Sequence, residues 1–363
     1  MIRSWPRVLS ALAMSFVLLE CKQAAPLRPQ FAYVANFYSN LLSAYSIGSN
    51  GALTPVPGSP FGEDAAVGPV SVTVDPTAKF AYVANFASNN ISAFSIGSNG
   101  VLTPVPGSPF AGGQTPCSVA VEPTAKFAYV ANRFGSNVSA YSIGSNGALT
   151  PIPGSPFAAG YDPYSVAVDP TAKFFYVANF NSNTVSAYGI GSNGALTPVS
   201  GSPFATGVGP VSVAVNVTAK FAYVVNFSSK NVSAYSIASN GALTPVSGSP
   251  FAAGLGPVSV AMGSRATFAY VANRGSNDVS AYSISSNGAL TPVPGSPFPA
   301  GLGPLSVAVD PMAKFAYVAN IDSNDISAYS IASNGALTPV PGSPFAARVK
   351  PASVAITRLL HLK

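Results

Sequence analysis

Side chains able to do chemistry are scarce in this chain: 8% of its 363 residues are Asp, Glu, Lys or Arg, and one is His. Those that differ from repeat to repeat fall mainly in two recurring sets of connections. Glu63, Asp64, Gln114, Tyr161, Asp162 and Lys350 fall in one set. Arg133 and Arg274 fall in the other, with Lys230, Asp278, Asp322 and Asp325. Guanidinium or ammonium groups can stabilise a developing oxyanion, and a carboxylate can activate water. The single His, His361, is the third residue from the end, which excludes a Ser-His-Asp triad in the body of the chain. There is no His/Cys/Asp cluster with metal-ligand spacing and no phosphate-cradling Gly pattern, so neither a metal nor a cofactor is expected. Solvated side chains in loops free to drift would give the same residues, and that reading stays open.

The elements that must position these residues come from a repeat. Phe-Ala-Tyr-Val-Ala-Asn begins at Phe31, Phe80, Phe127, Phe174, Phe221, Phe268 and Phe315, with Phe175 and Val225 as its two variations. The first step is 49 residues and the other five are 47. In the unit from Pro163 to Gly207, the β-branched run Tyr164–Val168 reads as a first strand and Asp169-Pro170 as a turn. Phe174–Ala178 is the second strand, Val185–Ile190 the third and Ala195–Val199 the fourth. Asn193-Gly194 joins the last two, a strong hairpin signal because both residues tolerate positive φ. Gly201-Ser202-Pro203-Phe204 is expected to turn the chain toward the next unit.

Four short antiparallel strands per unit, apolar on both faces, predict sheets stacked between neighbours. The fold class is therefore all-β: a seven-bladed β-propeller of four-stranded blades, a single domain over residues 27–357. The phase of the ends predicts how it closes. The ordered chain starts on a second strand at Phe31 and ends on a first strand, Pro351–Ile356, which should pair with it. Closure hides two sheet edges that would otherwise be free to aggregate. The variable loops share the end of the propeller that opens into its channel. The tyrosines of the second strands (Tyr82, Tyr129, Tyr176) are expected to pack between blades, and Asp75, Asp169 and Asp310 to cap turns.

Residues 1–25 read as an export signal: Arg3 and Arg7 precede an apolar run, Val8–Leu19, too short to span a bilayer. Cys21 follows that run as in a bacterial lipoprotein box, although Glu20 is not the usual small residue; cleavage near Ala24 or Ala25 is the alternative. The protein is expected in the periplasm, outside the cell, or lipid-anchored at the envelope, touching membrane only through that anchor. The one other thiol, Cys117, is expected to be buried and inert. The leader carries three of the 17 basic and one of the 11 acidic residues, so the net charge falls from +6 to +4 without it. The remaining basic residues form no stripe, which argues against nucleic acid. Residues 358–363 form a tail, and a monomer is expected.

Tyr-Val-Ala-Asn, followed by Ser-Asn-x-Val-Ser-Ala-Tyr-Ser-Ile and Asn-Gly-Ala-Leu-Thr-Pro-Val, resembles the YVTN-type repeats of the seven-bladed lactonase-like propellers. That family includes bacterial 6-phosphogluconolactonase. The resemblance covers about residues 27–357 and rests on scaffold motifs. It implies hydrolysis of a sugar lactone or similar small ester at the channel mouth. Arg133, Arg274, Lys350, Asp162 or Glu63 would supply the chemistry, although no family motif carries a catalytic role onto a given position here. The alternative is a noncatalytic cell-surface propeller that binds a glycan, peptide or partner protein, which the missing His and sparse carboxylates favour.

Overall fold

The structure, a computed structural model, describes residues 29–62 and 65–358. The leader with Cys21, the pair Glu63 and Asp64, and the end of the tail lie outside the described residues. Seven sheets form a ring, each ordered first–second–third–fourth strand from the channel outward. Blade 3 is representative, with strands Pro116–Val121, Phe127–Asn132, Asn137–Ile143 and Leu149–Pro151. The C-terminal strand Pro351–Ile356 pairs antiparallel with Gln30–Asn36 and completes blade 1. The amide of Phe31 donates to Thr357 Oγ1 at 2.8 Å, as the amide of Phe80 donates to Asp75 Oδ1 within blade 2. The closing strand thus supplies its own turn cap.

The outer strand differs from the expectation. Phe157–Ala158 does not simply lead away; it returns to pair with Asn137–Val138 at the far end of the third strand. The fourth strand is therefore in two pieces, Leu149–Pro151 and Phe157–Ala158, on either side of a cis Ser155-Pro156 bond. Ser155 Oγ fills the gap by accepting the amide of Ala140 at 2.9 Å. The Gly-Ser-Pro motif is thus a splice in an edge strand.

Each second strand splits its faces between two neighbours. Phe31, Tyr33 and Ala35 pack toward blade 2, while Ala32 and Val34 pack toward blade 7. Seven such cores fill the seven blade interfaces. Large side chains on one face and small ones on the other let twisted sheets nest at native packing density. This explains the doubly apolar strands.

The end holding the first–second and third–fourth turns, here the base, is stitched by side chains. Tyr129 donates its hydroxyl to Gly194 O at 2.9 Å in the next blade, and Tyr317 closes the series on Gly51 O, also at 2.9 Å. All seven second-strand tyrosines make this bond. The Asn-Gly turn that receives it has two reasons for its Gly. At Gly147 φ is +85°, and a Cβ there would lie 2.4 Å from the Phe80 ring. Asp75, Asp169 and Asp310 each accept two or more backbone amides of their own turn, and Glu122 and Asn216 do the same in blades 3 and 5.

Candidate functional site at the channel mouth

Two rings of repeat-equivalent residues frame the opposite end. The outer ring is the residue after each second-strand Asn: Phe37, Phe86, Arg133, Phe180, Phe227, Arg274 and Ile321. Each is fixed by its own backbone. The amide of Arg133 donates to Thr115 O at 2.9 Å and that of Arg274 to Gly256 O at 2.9 Å; the other five do likewise. The inner ring is the second residue of each first strand, among them Cys117 and Tyr164. Below it runs a girdle of seven serines. Ser118 Oγ accepts the amide of Val166 in the next blade, and the pattern continues around the ring until Ser353 takes the amide of Val72. All of these groups except Phe180 and Phe227 line a cavity of about 350 Å³, large enough for a small organic ligand.

Arg133 and Arg274 sit on blades 3 and 6, three apart in a ring of seven, and so face each other across the mouth. Their surroundings differ. Arg133 Nε donates to Asp162 Oδ1 at 2.5 Å and Nη2 to Oδ2 at 3.3 Å, a two-pronged pair. Asn181 also donates to Asp162 Oδ2, at 3.1 Å. The Arg133 guanidinium lies 5.0 Å from the Tyr164 ring centre and 5.5 Å from that of Phe134. Burial pulls the Arg133 pKa down, but the hydrogen bond and charge of Asp162 more than offset this. Arg274 is half exposed and only 4.0 Å from Asp322, whose other oxygen accepts from Lys350 Nζ at 2.8 Å. Arg133 and Asp162 cancel; the group of Arg274, Lys350 and Asp322 carries one net positive charge.

Burial raises the Tyr164 pKa, helped by Cys117 and Asp162 and opposed by Arg133 and Arg274. The phenol stays protonated and can donate a hydrogen bond into the cavity. Burial likewise pushes the Cys117 thiol up to about 12. That thiol donates to Pro163 O at 3.2 Å, so it is protonated and weakly nucleophilic, in keeping with its reading as inert.

Of the residues singled out in the sequence, Arg133 and Arg274 line the cavity. Asp162 is buried behind Arg133, and Lys350 is held by Asp322. Gln114 and Tyr161 are exposed on the rim outside the cavity lining. Tyr164 and Cys117 were not singled out as site residues. Their signal was present, since both break the run of Val, Leu and Ala at the second position of the first strand. Among the described residues no group of three or more His, Cys, Asp or Glu could hold a metal.

A closed seven-bladed ring with a charged channel mouth defines the class of protein. A family model described as lactonase, 7-bladed beta-propeller, matches residues 113–349, and the chain belongs to that family. No curated protein matches it. Several solved structures share the fold. One, from Bacteroides fragilis and provisionally named a 6-phosphogluconolactonase, is 21% identical with a TM-score of 0.80, covering 91% of this chain and 98% of its own. The periplasmic gluconolactonase of Pseudomonas aeruginosa is 16% identical with a TM-score of 0.77, covering 92% of this chain and 99% of its own. A Lactobacillus plantarum protein is 17% identical at the same TM-score, covering 92% and 99%.

Proposed function

We propose that the protein is an exported lactonase that opens a sugar lactone or a similar small cyclic ester at the channel mouth. The observation that carries this is that Tyr164, Arg133 and Arg274 line one cavity, donors of the kind that stabilise a carbonyl oxygen as it becomes an oxyanion. Water adds to the acyl carbon, and the carbonyl electrons move onto that oxygen. Collapse re-forms the carbonyl and breaks the ring C–O bond. The departing ring oxygen takes up the proton that the attacking water gives up, and the hydroxy acid product ionises. Asp162, held by Arg133 and Asn181, acts as a positioning residue that aims the guanidinium. Membership of the lactonase family and the periplasmic gluconolactonase among proteins of this fold support the reading. Export rests on the leader, residues 1–25.

A second reading is favoured by one observation: the cavity lining includes no carboxylate or imidazole among the described residues. A propeller that binds its ligand without turning it over fits that lining. Purified protein assayed on a panel of lactones separates the two. The first reading expects turnover above buffer, with kcat/KM falling about 100-fold in Arg274→Ala, the usual cost of one oxyanion donor. Saturable binding without turnover establishes the second.

A further inference from the structure

Around the cavity, Arg133, Tyr164 and Arg274 come from blades 3, 4 and 6; at the level of the outer ring, blades 7, 1 and 2 present Ile321, Phe37 and Phe86, above Ser306, Ser353 and Ser71. The aromatic part continues around the mouth onto blade 3, where the Phe134 ring lies beside Arg133. Phe37 and Phe86 are 6.3 Å apart between ring centres, and Phe86 and Phe134 are 6.4 Å apart. The row thus begins inside the cavity and ends on Phe134, 59% exposed. Tyr38, 5.1 Å from Phe37, flanks its other end and is 67% exposed. Exposed aromatic rings in a contiguous row leading out of a cavity mark a binding surface.

Building on the lactonase reading, we propose that the preferred ligand is a lactone carrying a hydrocarbon or aryl substituent, which lies along the row Phe37–Phe86–Phe134. The lactone carbonyl faces Tyr164 and the arginines. Two physical points select this class over a polyhydroxylated ring. A hydroxyl turned against Ile321, Phe37 and Phe86 would lose its water partners and regain one only by reaching down to the serine girdle. Successive rings in the row are tilted by 66°, edge against face, so they offer no coplanar platform for the flat side of a sugar. They offer grooves between rings, which suit an alkyl chain.

The test separates recognition from turnover. Calorimetry measures binding of two lactams, stable stand-ins for lactones: gluconolactam and a δ-lactam bearing a pentyl chain. The proposal expects the pentyl lactam to bind at least about tenfold tighter, since several methylenes leave water. Phe134→Ser, at an exposed position and checked for an unchanged melting curve, should weaken the pentyl lactam about fivefold and gluconolactam less than twofold. Tighter binding of gluconolactam, binding of neither lactam, or equal losses for both in Phe134→Ser would overturn it. Parallel hydrolysis assays on the two matching lactones keep the readings apart. Gluconolactone turnover with tighter gluconolactam binding overturns only the role of the aromatic row. Pentyl-lactam binding with no turnover of either lactone overturns only the hydrolase.

Discussion

The two ends of the propeller are built from the same repeat and obey different rules. At the base every blade reaches into the next: a tyrosine hydroxyl on a glycine carbonyl, and a phenylalanine ring against that same glycine. Any change there must satisfy two blades at once, and the turns scarcely vary. At the mouth the backbone is still fixed, by the amide after each Asn, but most of the side chains that follow border the cavity and do not lock into the next blade's turn. There the repeat runs from Phe to Arg to Ile while the backbone bond after each Asn is kept. Uniformity therefore marks load-carrying contacts, and departure from the repeat marks freedom to acquire chemistry.

The largest break of this contrast is to open the ring. Deleting residues 351–363 removes the inner strand of blade 1 and the Thr357 cap. Buried side chains contribute about 1.5–3 kcal/mol each, so the loss should reach about 5 kcal/mol or abolish soluble expression. Melting within a few degrees of the full chain would refute the closure.

Alkaline pH attacks the base more gradually. Burial raises the pKa of all seven second-strand tyrosines above the ordinary phenol value. Because the folded pKa is the higher one, their contribution is intact below about pH 10 and is lost as pH rises further, by about 1.4 kcal/mol per pH unit for each. Thermal melts from pH 8 to pH 12 should show a plateau and then a steep fall; a steady decline starting near neutrality would contradict it.

Single substitutions sharpen the comparison. Gly147→Ala forces a Cβ into the Phe80 ring at positive φ and should cost about 2–4 kcal/mol in denaturant titration. Tyr161→Ser, on the exposed rim, should stay within about 0.5 kcal/mol of the parent. Similar costs at the two sites would erase the distinction.

How much of this was legible in the sequence follows the same division. The seven blades and their closure could be read because Phe-Ala-Tyr-Val-Ala-Asn recurs in register and the termini are out of phase with it. The two-piece outer strand could not: its second piece, Phe157–Ala158, is two residues long, and only the third strand and Ser155 define it. At the mouth, Arg133 and Arg274 stood out as departures from the repeat. The partnership of Arg133 with Asp162 spans 29 residues and two blades, and nothing in the spacing reports it. Tyr164 departs from the repeat too, but it lies inside a strand, where an aromatic reads as packing.

The most direct test of a base that holds and a mouth that acts is the Tyr164→Phe variant, measured for lactone hydrolysis and melting in the same preparation. Removing one hydroxyl from the cavity should lower kcat/KM about 100-fold while the melting temperature stays within about 2 °C. Unchanged turnover, or turnover lost only in step with stability, would contradict the account.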